Sequence, residues 1–215
     1  SGYGNVGWGI MKKIDELGGK VTYFAGPDGY IYDPDGAVTD EKINYLLEMR
    51  ASGRDKVQDY ADKFGCEFHA GEKPWGLGAD KVDIMMPCAT QNEIDTDSAK
   101  LLVSNGCKAV FEGSNMPCTP EAIQAIKASG LLYSPSKASN AGGVAVSGLE
   151  MSQNSERLYW TFEAVDAKLK EIMENIYRQC ADTAAKYGQE GDIQAGANIV
   201  SFLKVADAML WQGVY

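Results

Sequence analysis

The stretch Ser1-Gly2-Tyr3-Gly4-Asn5-Val6-Gly7 has the G-x-G-x-x-G spacing of a dinucleotide-binding turn. In such a turn the first glycine permits tight chain reversal, the second lets the backbone approach a pyrophosphate, and the third lets the following helix pack closely on the sheet. The motif alone is weak evidence, because the chain contains 24 glycines and an ordinary glycine-rich turn would look the same. The motif normally follows a strand, so we expect the first strand of the sheet to be missing from this chain.

The composition restricts the classes of protein to which the chain can belong. Its 215 residues suffice for one large domain, and 45% hydrophobic with 23% charged residues is typical of a soluble globular protein. The net charge of −10 argues against nucleic acid or an anionic membrane as a partner, because phosphate binding needs clustered Lys and Arg. No apolar run reaches the roughly 20 residues that a membrane span requires. Five cysteines without a C-x-x-C pair indicate reduced thiols in a cytoplasmic protein.

Strand and helix patterns alternate along most of the chain. Short apolar strands are predicted at residues 20–24, 66–68, 82–86, 108–111 and 131–133, and helices at 5–17, from 39 onward, at 57–64 and from 119 to 130. Such alternation predicts an α/β fold with a doubly wound, mostly parallel sheet of the Rossmann type, whose ligands bind at the carboxyl ends of the strands. Residues 30–32 are interpreted as an excursion before the next helix.

After Asn140 only helical periodicity remains. Apolar residues spaced three or four apart predict two long helices, and both apolar stripes are interpreted as core packing. The stripes are Phe162, Val165, Leu169, Ile172, Ile176 and Cys180, and then Ile199, Phe202, Leu203, Ala206, Met209 and Leu210. The chain contains neither an internal repeat nor a clear linker, so we interpret it as one domain.

Three polar loops follow predicted strands and therefore meet at one edge of the predicted sheet. These loops are residues 87–92, 112–117 and 134–143. They supply uncharged hydroxyl and amide groups, which can hydrogen-bond the ribose or the carboxamide of a nicotinamide nucleotide. The groups belong to Thr90, Asn92, Asn115 and Asn140. Asn, Ser and Gly also form ordinary turns, which is the competing interpretation of each loop taken alone.

At these loops the chain resembles the hexameric glutamate dehydrogenases, within the family of glutamate, leucine, phenylalanine and valine dehydrogenases. The resemblance is to their C-terminal coenzyme-binding domain and runs from Gly2 to the last residues. It is carried by SGYGNVG (1–7), KVQDYADKFG (56–65), PCATQN (87–92), EGSNMP (112–117), PSKASNAGGVAVSGLEMSQNSERL (135–158) and GANIVSFLKVADAML (196–210). It implies one NAD(P)-binding, Rossmann-like domain over residues 1–215, with the N-terminal substrate and catalytic domain absent.

The resemblance also implies which residues bind the coenzyme and the substrate. In the turn formed by Gly2 to Gly7, it places Gly4, Asn5 and Val6 at the pyrophosphate. Ala89 and Thr90 would line the adenosine side. Asn115 and Asn140 would lie near the nicotinamide and its ribose. Ser147 would reach the side-chain carboxylate of glutamate.

By the same resemblance, the complete enzyme oxidises L-glutamate to 2-oxoglutarate and ammonia with NAD(P), or runs the reverse reaction. The lysine that activates water and the aspartate that moves protons belong to the family's N-terminal domain. We therefore assign no catalytic residue and no metal ligand to this chain, and we predict that the isolated chain is inactive. His69, the only histidine, is interpreted as structural.

NAD is favoured over NADP as the coenzyme. Asp28 lies in the turn GPDG, where its carboxylate can accept a hydrogen bond from the ribose 2′-hydroxyl and would repel a 2′-phosphate. No Lys or Arg stands between Val21 and Asp40 to hold that phosphate. Use of NADP, or of both coenzymes, stays open.

Two alternative functions stay open. In a different amino-acid dehydrogenase, Ser147 would face an apolar substrate side chain. The chain could also be a stand-alone dinucleotide-binding module, although the missing strand argues against this because it would leave the centre of the sheet empty. The favoured interpretation implies glutamate or 2-oxoglutarate and ammonia as small-molecule partners, a homohexamer at full length, and a cytoplasmic location.

Overall fold

A computed structural model describes residues 1–54, 56–76 and 81–213 of the chain. The chain divides into two compact units, Ser1–Leu131 and Leu132–Tyr215. The first unit contains the glycine-rich turn and the loops at 87–92 and 112–117, and the second contains the loop at 134–143. Within the described ranges, no helix combines the length and the hydropathy needed to cross a membrane.

The first unit alternates helices and strands, as the sequence predicts. Its helices are α1 (Asn5–Glu16), α2 (Asp40–Ala51), α3 (Gln58–Phe64), α4 (Thr96–Ser104) and α5 (Pro120–Ala128). Its strands are β1 (Tyr23–Gly26), β2 (Gly29–Tyr32), β3 (Glu67–Ala70), β4 (Ile84–Met85) and β5 (Ala109–Phe111). Thr39 and Thr119 cap α2 and α5 by accepting a backbone N–H in their side chains, which confirms both predicted helix starts.

Two strand pairings organise the first unit. β1, β2 and β3 form an antiparallel sheet, in which the two-residue turn Pro27-Asp28 joins β1 to β2. Residues 30–32, interpreted from the sequence as an excursion, are thus part of a strand. β4 pairs with β5 in parallel, and an isolated parallel bridge joins Ile94 to Cys118. Helix α4, begun by an Asp95 cap, was not predicted from the sequence.

The core of the first unit joins α1, the antiparallel sheet, α2 and α3. Its buried residues include Tyr3, Met11, Phe24, Ile31, Leu46 and Tyr60. The buried carboxylate of Asp33 accepts hydrogen bonds from Lys42 Nζ at 2.6 Å and from the Tyr60 hydroxyl at 2.9 Å. Because Asp33 follows β2 and its partners lie on α2 and α3, this network connects three elements.

A cavity of about 420 Å³ lies inside the first unit. Residues 19–24, which lead into and include the start of β1, line one side, and residues 81–86 around β4 line another. Ile10, Met11 and Ile14 of α1 close it from a third side. Both β1 and β4 are edge strands of their sheets, so the cavity separates two strand edges.

The second unit consists mainly of helices. Its elements are β6 (Leu132–Ser134), α6 (Ser136–Ser139), α7 (Ala141–Glu156), α8 (Phe162–Lys186) and α9 (Ile193–Gln212). A Cβ atom on Gly196 of α9 would lie 1.9 Å from the carbonyl oxygen of Cys180, so glycine is what lets α9 approach α8 this closely.

The apolar stripes of α8 and α9 differ from the sequence interpretation. Cys180 forms a small core with Ala138, Ile193 and Ala197, and the half-buried Ile176 packs against it. Phe162 is 75% exposed, Phe202 69% and Leu210 83%. The interpretation as core packing is therefore confirmed for Cys180 and Ile176 and wrong for the exposed Phe162, Phe202, Met209 and Leu210.

Candidate functional site

The glycine-rich turn folds back on the start of α1. Gly2 has φ +75°, a left-handed conformation that favours glycine, and a Cβ atom there would lie 3.0 Å from the carbonyl oxygen of Cys88. A Cβ atom on Gly7 would lie 2.2 Å from the carbonyl oxygen of Gly2. The first and third glycines therefore let the turn lie directly against α1 and against the loop that contains Ala89.

The first turn of α1 is open to solvent. Gly4, Asn5 and Val6 are exposed, and a Cβ atom on Gly4 would meet no atom within 4 Å. Gly4 occupies the N-cap position, where it has no side chain to bond the first backbone N–H groups, and the first turn carries no acidic residue. A helix N-terminus of this kind attracts anions through its free N–H groups and its dipole. These residues fit a pyrophosphate.

Contacts from α2 and the residues after it fix this turn. The guanidinium of Arg50 donates a hydrogen bond to the side-chain oxygen of Asn5. The Tyr3 hydroxyl donates to the carbonyl oxygen of Arg54 at 3.1 Å, and the indole N–H of Trp8 donates to the carbonyl oxygen of Ile43 at 3.0 Å. Sequence reasoning missed Arg50, because it stands 45 positions after Asn5 and no local pattern indicates their contact.

The β1–β2 turn brings Asp28 close to the glycine-rich turn. A Cβ atom on Gly26 would lie 3.1 Å from both the Tyr3 ring and the Asp28 carboxylate. The two carboxylate oxygens of Asp28 accept backbone N–H groups of Val57 at 2.9 Å and Gln58 at 3.1 Å, at the start of α3. Because a carboxylate has about four acceptor sites, these two bonds leave capacity for a further one from a ribose hydroxyl.

The loop after β4 lies against the glycine-rich turn. The Cys88 N–H donates to the carbonyl oxygen and to the hydroxyl of Ser1, each at 3.1 Å. Ala89 and Thr90, which follow, are exposed. The Ala89 N–H donates to the carboxylate of Glu93 at 3.1 Å. The structure thus brings Ala89, which Thr90 follows in the chain, beside Gly2, as expected of two segments that bind one ligand.

The loop after β5 is tied to the loop after β4 by the backbone. The N–H groups of Gly113 and Ser114 both donate to the carbonyl oxygen of Pro87 at 3.0 Å. Asn92 has φ 54° and donates from its N–H to the carbonyl oxygen of Met116, also at 3.0 Å. Asn115 lies on this loop and is exposed. Within the first unit, three predicted binding segments are therefore connected.

Asn140 and Ser147 lie in the second unit, at the start of α7. Asn140 is the N-cap residue, and Ser147 stands seven residues further on, so both lie on one face of the helix. Ser147 is exposed, and its hydroxyl donates to the carbonyl oxygen of Gly143 at 3.2 Å. This backbone bond is a common one for serine in helices. The α6 residue Lys137 donates to the side chain of Asn198 on α9.

The cysteines are free thiols with suppressed reactivity. Four of the five are buried, and Cys66 is half-buried. Burial raises the pKa of Cys88, Cys107 and Cys180, and raises that of Cys66 to about 11. The pKa of Cys118 is raised further, by burial and by the negative charge of Glu112. Thiols with raised pKa values are poor nucleophiles and poor metal ligands at neutral pH.

In the described part of the chain, no three His, Cys, Asp or Glu side chains form a metal-binding group.

Comparison with known proteins identifies the family. A model of the glutamate/leucine/phenylalanine/valine dehydrogenases matches residues 1–213. The chain belongs to this family. It is 58% identical to the NAD-specific glutamate dehydrogenase of Clostridium symbiosum and 49% identical to the NADP-specific glutamate dehydrogenase of Haemophilus influenzae, over its full length in both cases. A solved glutamate dehydrogenase structure covers 99% of the chain with a TM-score of 0.95 and 58% identity.

The comparisons confirm the resemblance and the predicted α/β fold of the Rossmann type. The chain spans about half the length of the relatives it matches, namely 47% of each of the three proteins above. The matches do not test the individual binding residues. The roles of the residues from Gly2 to Ser147 therefore stay predictions that the family resemblance implies.

Proposed function

We propose that the chain is the coenzyme-binding part of an NAD(P)-dependent glutamate dehydrogenase, which converts L-glutamate reversibly to 2-oxoglutarate and ammonia. The observation that carries the proposal is the family match over residues 1–213, together with 58% identity to an enzyme named NAD-specific glutamate dehydrogenase. The open first turn of α1 supports the binding role, because a pyrophosphate needs free N–H groups at a helix N-terminus.

Each predicted residue has a role that its position permits. The exposed first turn at Gly4, Asn5 and Val6 would hold the pyrophosphate, and the exposed Ala89 and Thr90 would line the adenosine side. The bound coenzyme supplies a hydride acceptor at the nicotinamide ring. Around it, the amide side chains of Asn115 and Asn140 would orient the carboxamide and ribose.

We infer that Ser147 binds the side-chain carboxylate of glutamate through its hydroxyl. No group of this chain is given the role of catalytic acid or base. Proton transfer and activation of water then depend on residues outside residues 1–215, and the isolated chain is expected to be inactive. The active enzyme is proposed to be a cytoplasmic homohexamer, with neither nucleic acid nor membrane as a partner.

NAD is the proposed coenzyme, with NADP or dual use as the competing choice. Relatives of both specificities are about half identical to the chain, so family membership leaves the choice open. The position of Asp28 favours NAD. Its carboxylate is fixed by two backbone N–H groups and lies near Tyr3 of the glycine-rich turn, where its charge would repel a 2′-phosphate.

The binding role is tested by Gly4→Asp. Aspartate is a favoured N-cap residue and Gly4 has open space, so the variant should unfold at the same temperature as the wild type or a few degrees higher. Its charge would compete with the pyrophosphate for the N–H groups of α1, so NAD binding in a calorimeter should weaken at least about 30-fold, equivalent to about 2 kcal/mol.

Two controls accompany this variant. Gly4→Ser supplies a neutral cap, and Gly9→Asp adds the same charge further along α1, also in open space. We expect Gly9→Asp to bind NAD within about threefold of the wild type, because the dipole effect falls off after the first helical turn. Equal NAD affinity for Gly4→Asp and Gly9→Asp would refute the assignment of the pyrophosphate to this turn.

The family description also includes leucine, phenylalanine and valine dehydrogenases, which is the second candidate function. Glutamate is favoured because the relatives at 49–58% identity reported above are named glutamate dehydrogenases. Rates with glutamate and with leucine, phenylalanine and valine, measured on an enzyme that contains this chain, separate the two. A third candidate, a stand-alone binding module, requires that no such activity exists and that the chain alone binds NAD.

A further inference from the structure

The side chain of Glu93 lies between two of the predicted coenzyme-binding segments. Its Oε2 atom accepts the hydroxyl proton of Ser1 at 2.6 Å, and its Oε1 atom accepts the backbone N–H of Ala89 at 3.1 Å. Ser1 begins the glycine-rich turn, and Ala89 belongs to the loop after β4. A single half-buried carboxylate therefore joins the segment expected at the pyrophosphate to the segment expected at the adenosine.

The backbone next to Glu93 is fixed to a third segment. Ile94 is fully buried, donates its N–H to the carbonyl oxygen of Pro117 at 2.9 Å, and forms a parallel bridge with Cys118. The carboxylate thus reaches Ser1 and Ala89 from a position that cannot shift without breaking these bonds. Hydrogen bonds to an ionised carboxylate are about twice as strong as neutral ones.

Ala89 and Thr90 themselves are exposed, so packing contributes little to holding them. A loop that is ordered only when a ligand binds must lose conformational entropy at that step, which weakens binding. An acceptor that already fixes the Ala89 N–H avoids part of this cost.

We propose that Glu93 is a positioning residue for the coenzyme, which holds residues 89 and 90 against the glycine-rich turn before NAD binds. The inference rests on the proposed function, since it takes NAD as the ligand of both segments. Glu93 acts through Ser1 and Ala89 and does not touch the coenzyme.

The test compares Glu93→Ala and Glu93→Gln in this chain, with Glu171→Ala on the exposed surface of α8 as the matched control. The alanine variant loses both bonds, so NAD binding in a calorimeter should weaken about 10-fold. The glutamine variant should stay within about threefold of the wild type, because its amide oxygen can accept the Ala89 N–H and its amide nitrogen can donate to the Ser1 hydroxyl. The control should bind NAD like the wild type.

Amide hydrogen exchange gives a readout that needs no coenzyme. The Ala89 N–H should exchange at least about 10-fold faster in Glu93→Ala than in the wild type, while amides of the α8 and α9 helices keep their rates. If Glu93→Ala does not fold, Ser1→Ala takes its place in the exchange and binding measurements. It removes the bond between Ser1 and Glu93 but keeps the bond from Ala89, so smaller effects of the same kind are expected. A purely structural role would change the exchange of the whole first unit and would not be rescued selectively by glutamine.

The outcomes separate this inference from the proposed function. An unchanged exchange rate of Ala89 in Glu93→Ala overturns the inference, and so does faster exchange with unchanged NAD affinity. A wild-type chain that is folded but binds no NAD refutes the binding role of the chain, and the positioning role with it. Faster exchange, weaker NAD binding and rescue by glutamine together support it.

Discussion

Asp28 and Ser147 each make a hydrogen bond within the fold, and each is also predicted to bind a ligand. Asp28 caps α3 through two backbone N–H groups and has acceptor sites left for a ribose. The Ser147 hydroxyl bonds the backbone of α7 and remains exposed. We therefore expect mutation of either residue to change stability and binding together, so each experiment needs a control that separates the two effects.

Replacement of Ser147 tests substrate recognition in an enzyme that contains this chain. A hydrogen bond from a neutral hydroxyl to a carboxylate is worth roughly 1.5 to 3 kcal/mol. Ser147→Ala should therefore lower kcat/KM for glutamate about 10- to 150-fold and leave NAD affinity nearly unchanged. Norvaline, which lacks the side-chain carboxylate, should lose little activity.

Ser152→Ala is the matched control for this prediction, because Ser152 lies on the same helix and its hydroxyl makes the same kind of bond, to the carbonyl oxygen of Gly148 at 3.0 Å. It should reproduce any effect of losing a backbone bond. An equal loss of activity for glutamate and norvaline in Ser147→Ala would show that Ser147 does not contact the substrate carboxylate.

Replacement of Asp28 by asparagine tests the coenzyme preference. The change removes a charge that would lie near a 2′-phosphate, so the ratio of NADP to NAD affinity should rise about 5- to 30-fold, equivalent to about 1 to 2 kcal/mol. The asparagine amide places a donor where Asp28 accepts an N–H, so α3 should also lose about 1 kcal/mol of capping. Asp62→Asn, an exposed change on α3, controls for the altered net charge. A constant affinity ratio would exclude Asp28 from coenzyme selection.

At the scale of elements, a buried network joins β2, α2 and α3. Asp33 accepts hydrogen bonds from Lys42 and Tyr60 and from the backbone N–H groups of Asp35 and Gly36. Burial by itself would raise the pKa of Asp33, but the bonds from Lys42 and Tyr60 outweigh it, and the pKa lies below its ordinary value. Burial and the charge of Asp33 raise the pKa of Tyr60.

Asp33→Asn should lower the free energy of unfolding by about 2 to 4 kcal/mol at pH 7. The reason is that the largely buried Lys42 ammonium then has lost its negatively charged partner. Since the folded pKa is depressed, the stabilisation by Asp33 is complete above the unfolded pKa of about 4 and is lost as pH falls through the folded pKa. The difference between wild type and variant, measured by urea unfolding, should therefore be constant from pH 5 to 7 and shrink below about pH 4. The exposed Asp35→Asn should show neither effect.

The sequence predicted elements where local chemistry determines them. Thr39 and Thr119 marked helix starts because their side chains satisfy backbone N–H groups, and both caps are present. The helix α4 is an exception, because its Asp95 cap is an equally local signal and was overlooked, whereas the strand β2 was missed for a different reason. The β2 strand depends on pairing with residues 67–70, and the contact of Glu93 with Ser1 spans 92 positions. Long-range pairings of this kind leave no local pattern to detect.

At the scale of the whole molecule, the cavity between β1 and β4 is where we expect a strand that precedes the glycine-rich turn to lie. The Ser1 amino group donates to the carbonyl oxygen of Met86 at 2.8 Å, and the Ser1 carbonyl oxygen accepts the Cys88 N–H at 3.1 Å. This alternation is that of a parallel ladder, so a segment joined to Ser1 would run alongside β4 into the cavity. Its other edge would face β1.

An extended apolar segment joined to Ser1 should therefore stabilise the chain. Six residues of valine and isoleucine would place about three side chains in the cavity, each worth about 1.5 to 2 kcal/mol before the entropy of ordering is subtracted. Together with the hydrogen bonds of the extended ladder, this burial should offset the entropy of ordering, so we expect a higher Tm than that of the unextended chain. A segment of equal length with proline at its centre should give no gain, because proline has no N–H for the ladder. Equal Tm values for both segments would contradict strand insertion.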